Sequence, residues 1–267
     1  MRTVVCVKPA PDPRYWQKMR LDPETGTLRR EEVPAVFGPL DRRALEEALR
    51  IKELRGGRVT MLSMAPPWAL KTLYKGLAMG ADEAVLLSDP SFAGADTVAT
   101  SYVLAAGITK LAEYDLVLCG DKSLDVATGQ VGPQVAEFLG IPHVTHVCKL
   151  DLLDGDKVRV EARTDDGYIV LEVSLPAVLG VEREINEPRL VSLSGISEAG
   201  EKEIKLWAAG DLGVEKDKVG LTGSPTQVVE MFASERQRDG ELLKGQPEEI
   251  VELLIRRLEK LGALLPP

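Results

Sequence analysis

Residues 114–143 read YDLVLCGDKSLDVATGQVGPQVAEFLGIPH, and their pattern indicates the fold class. Its apolar run, 115–119, has the composition of a strand buried on both faces. A polar loop follows, and then Val131, Val135, Phe138 and Leu139 recur at helical spacing until Gly140 ends the helix. A strand that leads through a glycine-containing turn into a helix presents free backbone N–H groups, which bind phosphate. The same pattern also fits a strand–loop–helix unit that binds nothing, so the local pattern leaves phosphate binding open.

The alternation of strand and helix extends back to the N-terminus. The sequence predicts strands at 3–7, 58–65 and 84–87, and helices at 41–55 (with Asp41 as the N-cap), 68–79 and 96–113. Such alternation indicates an α/β fold, a Rossmann-like doubly wound parallel sheet of the adenine-nucleotide-binding type. A ligand crevice then lies at the carboxyl ends of the strands. The loops after Val7, after Met64 and over 120–132 leave from those ends.

The second half of the chain changes character. Segments 157–163 and 168–175 alternate apolar and charged residues around Asp165-Asp166-Gly167, which predicts an antiparallel hairpin. One more strand follows at 176–181, the chain becomes irregular from Asn186, and a helix closes it at 247–261. We therefore expect a nucleotide-binding α/β domain over 1–186 and a C-terminal arm and helix over 187–267. The arm either wraps its own domain or, as we favour, packs on a partner subunit because its apolar residues need cover.

Charge and cysteine usage narrow the class of protein. The chain has 267 residues, with 33 basic against 42 acidic residues and a net charge of −9, which argues against a nucleic-acid partner. The three cysteines, Cys6, Cys119 and Cys148, lack disulfide spacing and fit a reducing compartment. Since no apolar run approaches the ~20 residues of a spanning helix, we expect a cytoplasmic protein, with attachment to the periphery of a membrane complex left open.

Motifs of autonomous catalysis are absent. No G-x-G-x-x-G, phosphate-binding G-x-x-x-x-G-K-[ST], G-x-S-x-G or H-E-x-x-H occurs. The two histidines, His143 and His146, have no Cys or carboxylate cluster near them in sequence, so we expect no metal site. Asp12, Asp41, Asp121 and Asp125 lie in loops that could converge, but no nucleophile–base pair is evident. The sequence therefore favours binding over catalysis.

Several stretches in order resemble the β subunit of electron transfer flavoproteins. They are Val7-Lys8 with Pro11-Asp12, PLDRRALEE at 39–47, GLAMGAD at 76–82, DLVLCG at 115–120, residues 125–132, LPAV at 175–178, NEPR at 186–189 and GSPT at 223–226. The resemblance covers essentially the whole chain. It implies a heterodimer with a larger α subunit, in which flavin carries electrons between a dehydrogenase and a quinone-linked acceptor.

The resemblance also implies an adenine nucleotide in this subunit. The nucleotide is AMP in one-flavin carriers, or the ADP part of a second FAD in electron-bifurcating members, where that flavin takes hydride from NADH. TGQVGP at 128–133 and GELLKG at 240–245 resemble the branch that includes bifurcating enzymes, so FAD is favoured over AMP. The cofactor-binding positions carried over are Cys6, Gly38, Pro39, Leu40, Asp41, Met64, Asp125, Val126, Ala127, Thr128, Gly129, Gln130 and Val131. Leu193 matches the leucine that docks on dehydrogenases.

This chain departs from the family pattern in two places. Val126 and Ala127 stand where the family carries acidic residues or glycine, which removes a side-chain contact to the nucleotide. After Leu193 the chain reads SGISEAGE, without the basic stretch that docks on acyl-CoA dehydrogenases. A competing interpretation, a stand-alone ATP/AMP-binding module of the universal-stress type, conflicts with the long segment 187–267. Another, an adenylating enzyme of the pyrophosphatase fold, requires an S-G-G-x-D-S loop that the first strand lacks.

Overall fold

The computed structural model describes residues 1–20, 29–229 and 240–263. The chain divides into two compact units, Met1–Val229 and Glu230–Pro267. The strands of the first unit are β1 (Arg2–Cys6), β2 (Pro9–Pro11), β3 (Ala35–Phe37), β4 (Arg58–Met64), β5 (Glu83–Leu87), β6 (Leu116–Gly120), β7 (His143–Leu152), β8 (Lys157–Thr164), β9 (Gly167–Ser174), β10 (Ala177–Val181) and β11 (Ile204–Trp207). Its helices are α1 (Pro39–Arg55), α2 (Leu70–Met79), α3 (Thr97–Lys110), α4 (Val131–Leu139), α5 (Leu193–Glu201) and α6 (Ala209–Leu212).

Nine strands form one sheet in the order β11-β5-β4-β1-β6-β10-β7-β8-β9. The pairs from β11 to β7 are parallel, and β7-β8 and β8-β9 are antiparallel. The expected fold class is therefore confirmed, including the hairpin. Strands β2 and β3 form a separate antiparallel pair, which the sequence analysis missed because each has only three residues.

Two apolar layers cover the central sheet. One contains Leu45 and Leu49 of α1 with Leu73 and Leu77 of α2, and the other contains Val103 and Ile108 of α3 with Val135 and Ala136 of α4. Strands β1, β4, β5, β6 and β10 are buried almost throughout, as a parallel sheet covered on both faces requires.

Residues 193–212 have more regular structure than the sequence suggested. Helix α5 packs against α2, and β11 joins the edge of the sheet beside β5. Four-residue elements such as β11 and α6 are too short to show a periodicity. The division of the chain at residue 186 stays a prediction.

The second unit is described from residue 240 and contains helix α7 (Pro247–Lys260). The expected helix is confirmed, and Pro247 lies at its first position, where a missing N–H costs nothing. Its residues Val251, Leu254 and Ile255 are each at least 43% exposed. Among the helices in the described ranges, none has the length and apolar character needed to cross a membrane.

Candidate functional site

The strand order reverses between β1 and β6, and the region at the carboxyl ends of these two strands is called the β1–β6 crevice below. The connections from β1 through α1 and from β4 through α2 run toward one edge of the sheet, and the connection from β5 through α3 returns to β6, on the other side of β1. The chain therefore leaves the carboxyl ends of β1 and β6 toward opposite faces, which is the usual ligand position in an open α/β sheet. The loops after Val7 and Gly120 border this crevice, and Met64 ends the neighbouring strand β4.

The turn 38–41 enters the crevice at the start of α1. Gly38 is the N-cap, Pro39 is the first helical residue, and Asp41 lies in the first turn, so the prediction of Asp41 as the N-cap is wrong. The Asp41 carboxylate does not cap its own helix. It accepts the backbone N–H of Lys8 at 2.8 Å and that of Gly120 at 3.2 Å. Its burial raises the pKa of Asp41 to about 6.

Asp125, in the loop after β6, forms ion pairs with two cationic side chains. Its Oδ1 lies 2.7 Å from Lys8 Nζ, and its Oδ2 lies 3.5 Å from Arg30 Nη2. Burial alone would raise the pKa of Asp125, but the hydrogen bonds from Lys8 and Ser123 and the nearby positive charges outweigh it and lower that pKa. Lys8 and Arg30 are about half exposed, so both cations border the solvent side of the loop.

The loop then turns its backbone donors outward. Ala127 and Gly129 adopt left-handed φ angles of 52° and 65°. Within the described ranges, the N–H groups of Thr128, Gly129, Gln130 and Val131 have no acceptor. Helix α4 begins at Val131, so the positive end of its dipole adds to these donors. Consecutive free N–H groups at a helix start are donors of the kind that can bind an anion.

Two thiols lie beneath the loop. Cys6 and Cys119 are directly opposite each other on β1 and β6, and both are buried. Burial, with a contribution from Asp41, raises the pKa of Cys6 to about 12, and burial also raises that of Cys119. Both thiols are therefore neutral and act as packing groups. A Cβ at Gly132 would lie 3.0 Å from Cys119 Sγ, so this glycine lets α4 approach the sheet closely.

The predicted site residues fall into two groups. Those at positions 6, 38–41 and 125–131 surround the β1–β6 crevice, and Met64 lies at the end of the next strand, half-buried. Leu193 is separate from them: it begins α5, which packs on α2, and it is 87% exposed. Val126 is 56% exposed. Asp12 pairs with Arg14 instead of facing the crevice.

Lys8 and Arg30 are partners of Asp125 that the sequence did not predict. Lys8 is a single charged residue directly after a buried strand, and nothing in the sequence around Arg30 points to this contact. The carboxylates around His146 were not predicted either. The His146 Nδ1 lies 2.8 Å from Glu182 Oε1 and 3.2 Å from Asp121 Oδ2, so the expectation that no carboxylate cluster lies near His146 is wrong.

His146, Asp121 and Glu182 form a hydrogen-bonded network next to the loop. Asp121 and Glu182 are buried, Arg163 lies 3.1 Å from Glu182 Oε1, and His146 has a left-handed φ of 55°. Their ligand atoms lie within 4.8 Å of one another, and their types could hold a metal ion. The imidazole and Arg163 already satisfy Glu182, so the contacts present are those of a hydrogen-bonded network. The expectation of no metal site stays a prediction.

Comparison with known proteins identifies the family. The family model for the electron transfer flavoprotein domain matches residues 25–212. The chain is 46% identical over 260 residues to the electron transfer flavoprotein subunit beta of Clostridium acetobutylicum, and 47% identical over 259 residues to that of Thermoanaerobacterium thermosaccharolyticum. It is 44% identical over 262 residues to the caffeyl-CoA reductase-Etf complex subunit CarD of Acetobacterium woodii. Each match covers 97% of this chain and 98% of the relative. The chain therefore belongs to the family of electron transfer flavoprotein β subunits.

Proposed function

We propose that this chain, joined to an α subunit, binds an adenine nucleotide in the β1–β6 crevice and carries electrons between a dehydrogenase and an acceptor. The observation that carries the proposal is the set of free N–H groups at 128–131, at the start of α4. These donors match the phosphate oxygens that AMP and FAD share. Lys8 and Arg30 add positive charge beside them.

The remaining site residues would hold the nucleotide by backbone and packing. Main-chain groups near Cys6 and Met64 would face the adenine, and the turn 38–41 would border the ribose and phosphate. Val126 and Ala127 cannot bond the nucleotide through their side chains, so the loop depends on its backbone. Gly129 supports this role because its left-handed φ of 65° is strained for other residues.

We propose FAD as the nucleotide. FAD bound here would supply hydride acceptance from NADH and the division of its electrons between two acceptors. The chain's own residues would bind it, orient it and neutralise its phosphates. The segments 128–133 and 240–245, which resemble the bifurcating branch, support FAD, as does the likeness to a subunit of a reductase-Etf complex in Acetobacterium woodii. The free thiols Cys6, Cys119 and Cys148 support a cytoplasmic location.

Two surfaces would meet partner proteins. Within the segment 187–267, helix α7 would pack on the α subunit, and its exposed Val251, Leu254 and Ile255 support this arrangement. Leu193, with the exposed Leu190 and Ile196 near it in sequence, would dock on a dehydrogenase. Since residues 194–201 carry two glutamates and no cation, the docking surface of that dehydrogenase should not be acidic.

The nucleotide content of the complex tests the proposal. The chain would be co-expressed with an electron transfer flavoprotein α subunit, and the purified complex would be denatured and its FAD and AMP quantified by chromatography. We expect two FAD and no AMP per heterodimer, with anaerobic bleaching of the flavin by NADH. One FAD and one AMP would identify a one-flavin carrier with a structural nucleotide instead. No nucleotide beyond the α-subunit flavin would contradict binding at 128–131.

A further inference from the structure

Asp41 joins three elements at the crevice. Its helix, α1, follows the loop after β1, and its two carboxylate oxygens accept N–H groups from two different strand ends. Oδ2 accepts the N–H of Lys8, just past β1, and Oδ1 accepts that of Gly120, the last residue of β6. The side chain is buried. No other described carboxylate accepts backbone N–H groups from the ends of both of these strands.

Gly120 permits this contact because it has no side chain. A Cβ at residue 120 would lie 2.6 Å from Asp41 Oδ1 and 2.7 Å from Leu40 Cβ. Both distances are below those that real side chains adopt, so any larger residue would displace the carboxylate or the helix. The glycine at the end of β6 therefore permits the first turn of α1 to reach the strand.

We propose that Asp41 is a positioning residue, which holds the ends of β1 and β6 at the spacing that the nucleotide site requires and does not itself contact the nucleotide. This inference rests on the proposed function of the crevice. It replaces the expectation that Asp41 binds the cofactor directly: the side chain is buried, and each of its oxygens accepts a backbone N–H from a strand end.

The charged state of Asp41 matters for this role. A carboxylate accepts both N–H groups, but a protonated carboxyl turns one oxygen into a donor that faces an N–H. The titratable groups around it are the Lys8 ammonium, Asp125 of the loop, and the thiols of Cys6 on β1 and Cys119 on β6. Burial is the largest influence on the pKa of Asp41 and raises it to about 6, against the opposing effects of Lys8 and the two hydrogen bonds. Acidification through that pH should loosen the site.

Nucleotide titrations test the role. The probes are FAD and AMP, added to the heterodimer of this chain with its α subunit after dialysis has removed bound nucleotide, at pH values on either side of about 6. At the higher pH, we expect Asp41→Asn to bind about tenfold more weakly than the native chain, because one hydrogen bond to a charged group is lost. At the lower pH, the two proteins should bind alike. Comparison at equal pH cancels the titration of the ligand's own phosphate.

The matched control is Glu47→Gln. Glu47 is a second buried carboxylate on α1, its pKa is also raised by burial, and its hydrogen bond goes to Asn186, outside the crevice. This variant should follow the native protein at every pH. Gly120→Ala keeps the Asp41 charge but crowds it, and it should weaken binding as Asp41→Asn does.

Hydrogen exchange of two amides gives a readout that is independent of nucleotide. In the native chain, the protection factors of the Lys8 and Gly120 amides should fall selectively as the pH drops below about 6, with little change elsewhere in β1 and β6. Equal affinities and identical pH profiles for the native chain and Asp41→Asn would overturn the positioning role. A further outcome is that the native chain and all variants bind neither FAD nor AMP, while the Lys8 and Gly120 amides still lose protection as Asp41 becomes protonated. That result would contradict the proposed function but support the link between the strand ends.

Discussion

For single residues, Asp41 is the informative case, because ionisation of this buried carboxyl group costs free energy. Burial disfavours its ionised form, and two backbone hydrogen bonds only partly compensate. A residue that served stability alone would be better replaced by a neutral hydrogen-bonding group. The retention of the charge at the reversal point of the sheet therefore argues for a role in the site.

The stability of the chain should reflect this cost. A carboxyl whose pKa rises on folding stabilises the native state when protonated, and that contribution is lost as the pH rises through the folded pKa of about 6. Relative to Asp41→Asn, the native chain should therefore lose about 3 kcal/mol of unfolding free energy between roughly pH 4 and pH 7. Urea denaturation of both proteins across this range measures the difference. A pH-independent difference would contradict the raised pKa.

Asp154→Asn is the control for that series. The Asp154 side chain is fully exposed, so its removal should leave the pH profile of the native chain unchanged. If Asp154→Asn and Asp41→Asn changed the pH dependence of the unfolding free energy identically, the cause would be net charge and not the buried site.

At the scale of elements, close helix packing depends on single glycines. A Cβ at Gly195 of α5 would lie 2.3 Å from the Ala78 carbonyl oxygen of α2, which no side chain tolerates. On the same helix, Gly200 has nothing within 4 Å of its hypothetical Cβ. The salt-bridged segment before α5 adds a second attachment, since Arg189 bonds both carboxylate oxygens of the buried Glu46 on α1.

Two alanine variants of α5 separate packing from helix propensity. Gly195→Ala should destabilise the chain by about 2 kcal/mol, because overpacking must move α5 away from α2. Gly200→Ala should be neutral or stabilise it by up to about 1 kcal/mol, because alanine favours a helix more than glycine does. Thermal or urea unfolding of both variants provides the comparison. Equal destabilisation would show that α5 does not rest on α2 as described.

For the whole molecule, the exposed start of α5 is the feature that bears on partner binding. Leu193 projects from the start of α5 with 87% of its surface exposed, and Ser192 fixes this helix end by accepting the N–H of Gly195. Leu190 and Ile196, near it in sequence, are also exposed, and a group of exposed apolar side chains fits a docking contact. The absence of cations in 194–201 distinguishes this surface from one that pairs with an acidic dehydrogenase.

Substitution of Leu193 should separate docking from cofactor binding. Leu193→Ala should lower the rate of electron transfer with the physiological dehydrogenase about tenfold, because a buried leucine in an interface contributes about 1–3 kcal/mol. Nucleotide content and unfolding free energy should stay unchanged, since Leu193 lies outside the crevice. Steady-state assays with increasing ionic strength should show little salt dependence. A strong salt dependence would indicate that charges dominate docking.

The layered α/β fold follows from local sequence, because buried strands and amphipathic helices carry their periodicity in consecutive residues. The loop 120–132 and the α4 start are also visible in the sequence, where glycine and proline mark the turn. Which distant groups meet at this loop depends on the tertiary structure. Lys8 pairs with Asp125 across 117 residues, and Asp41 reaches Gly120 across 79. Residues 204–207 join the sheet beside β5, and His146 meets Asp121 and Glu182. Such contacts arise from strand order and chain crossing, which no local pattern of hydrophobicity encodes.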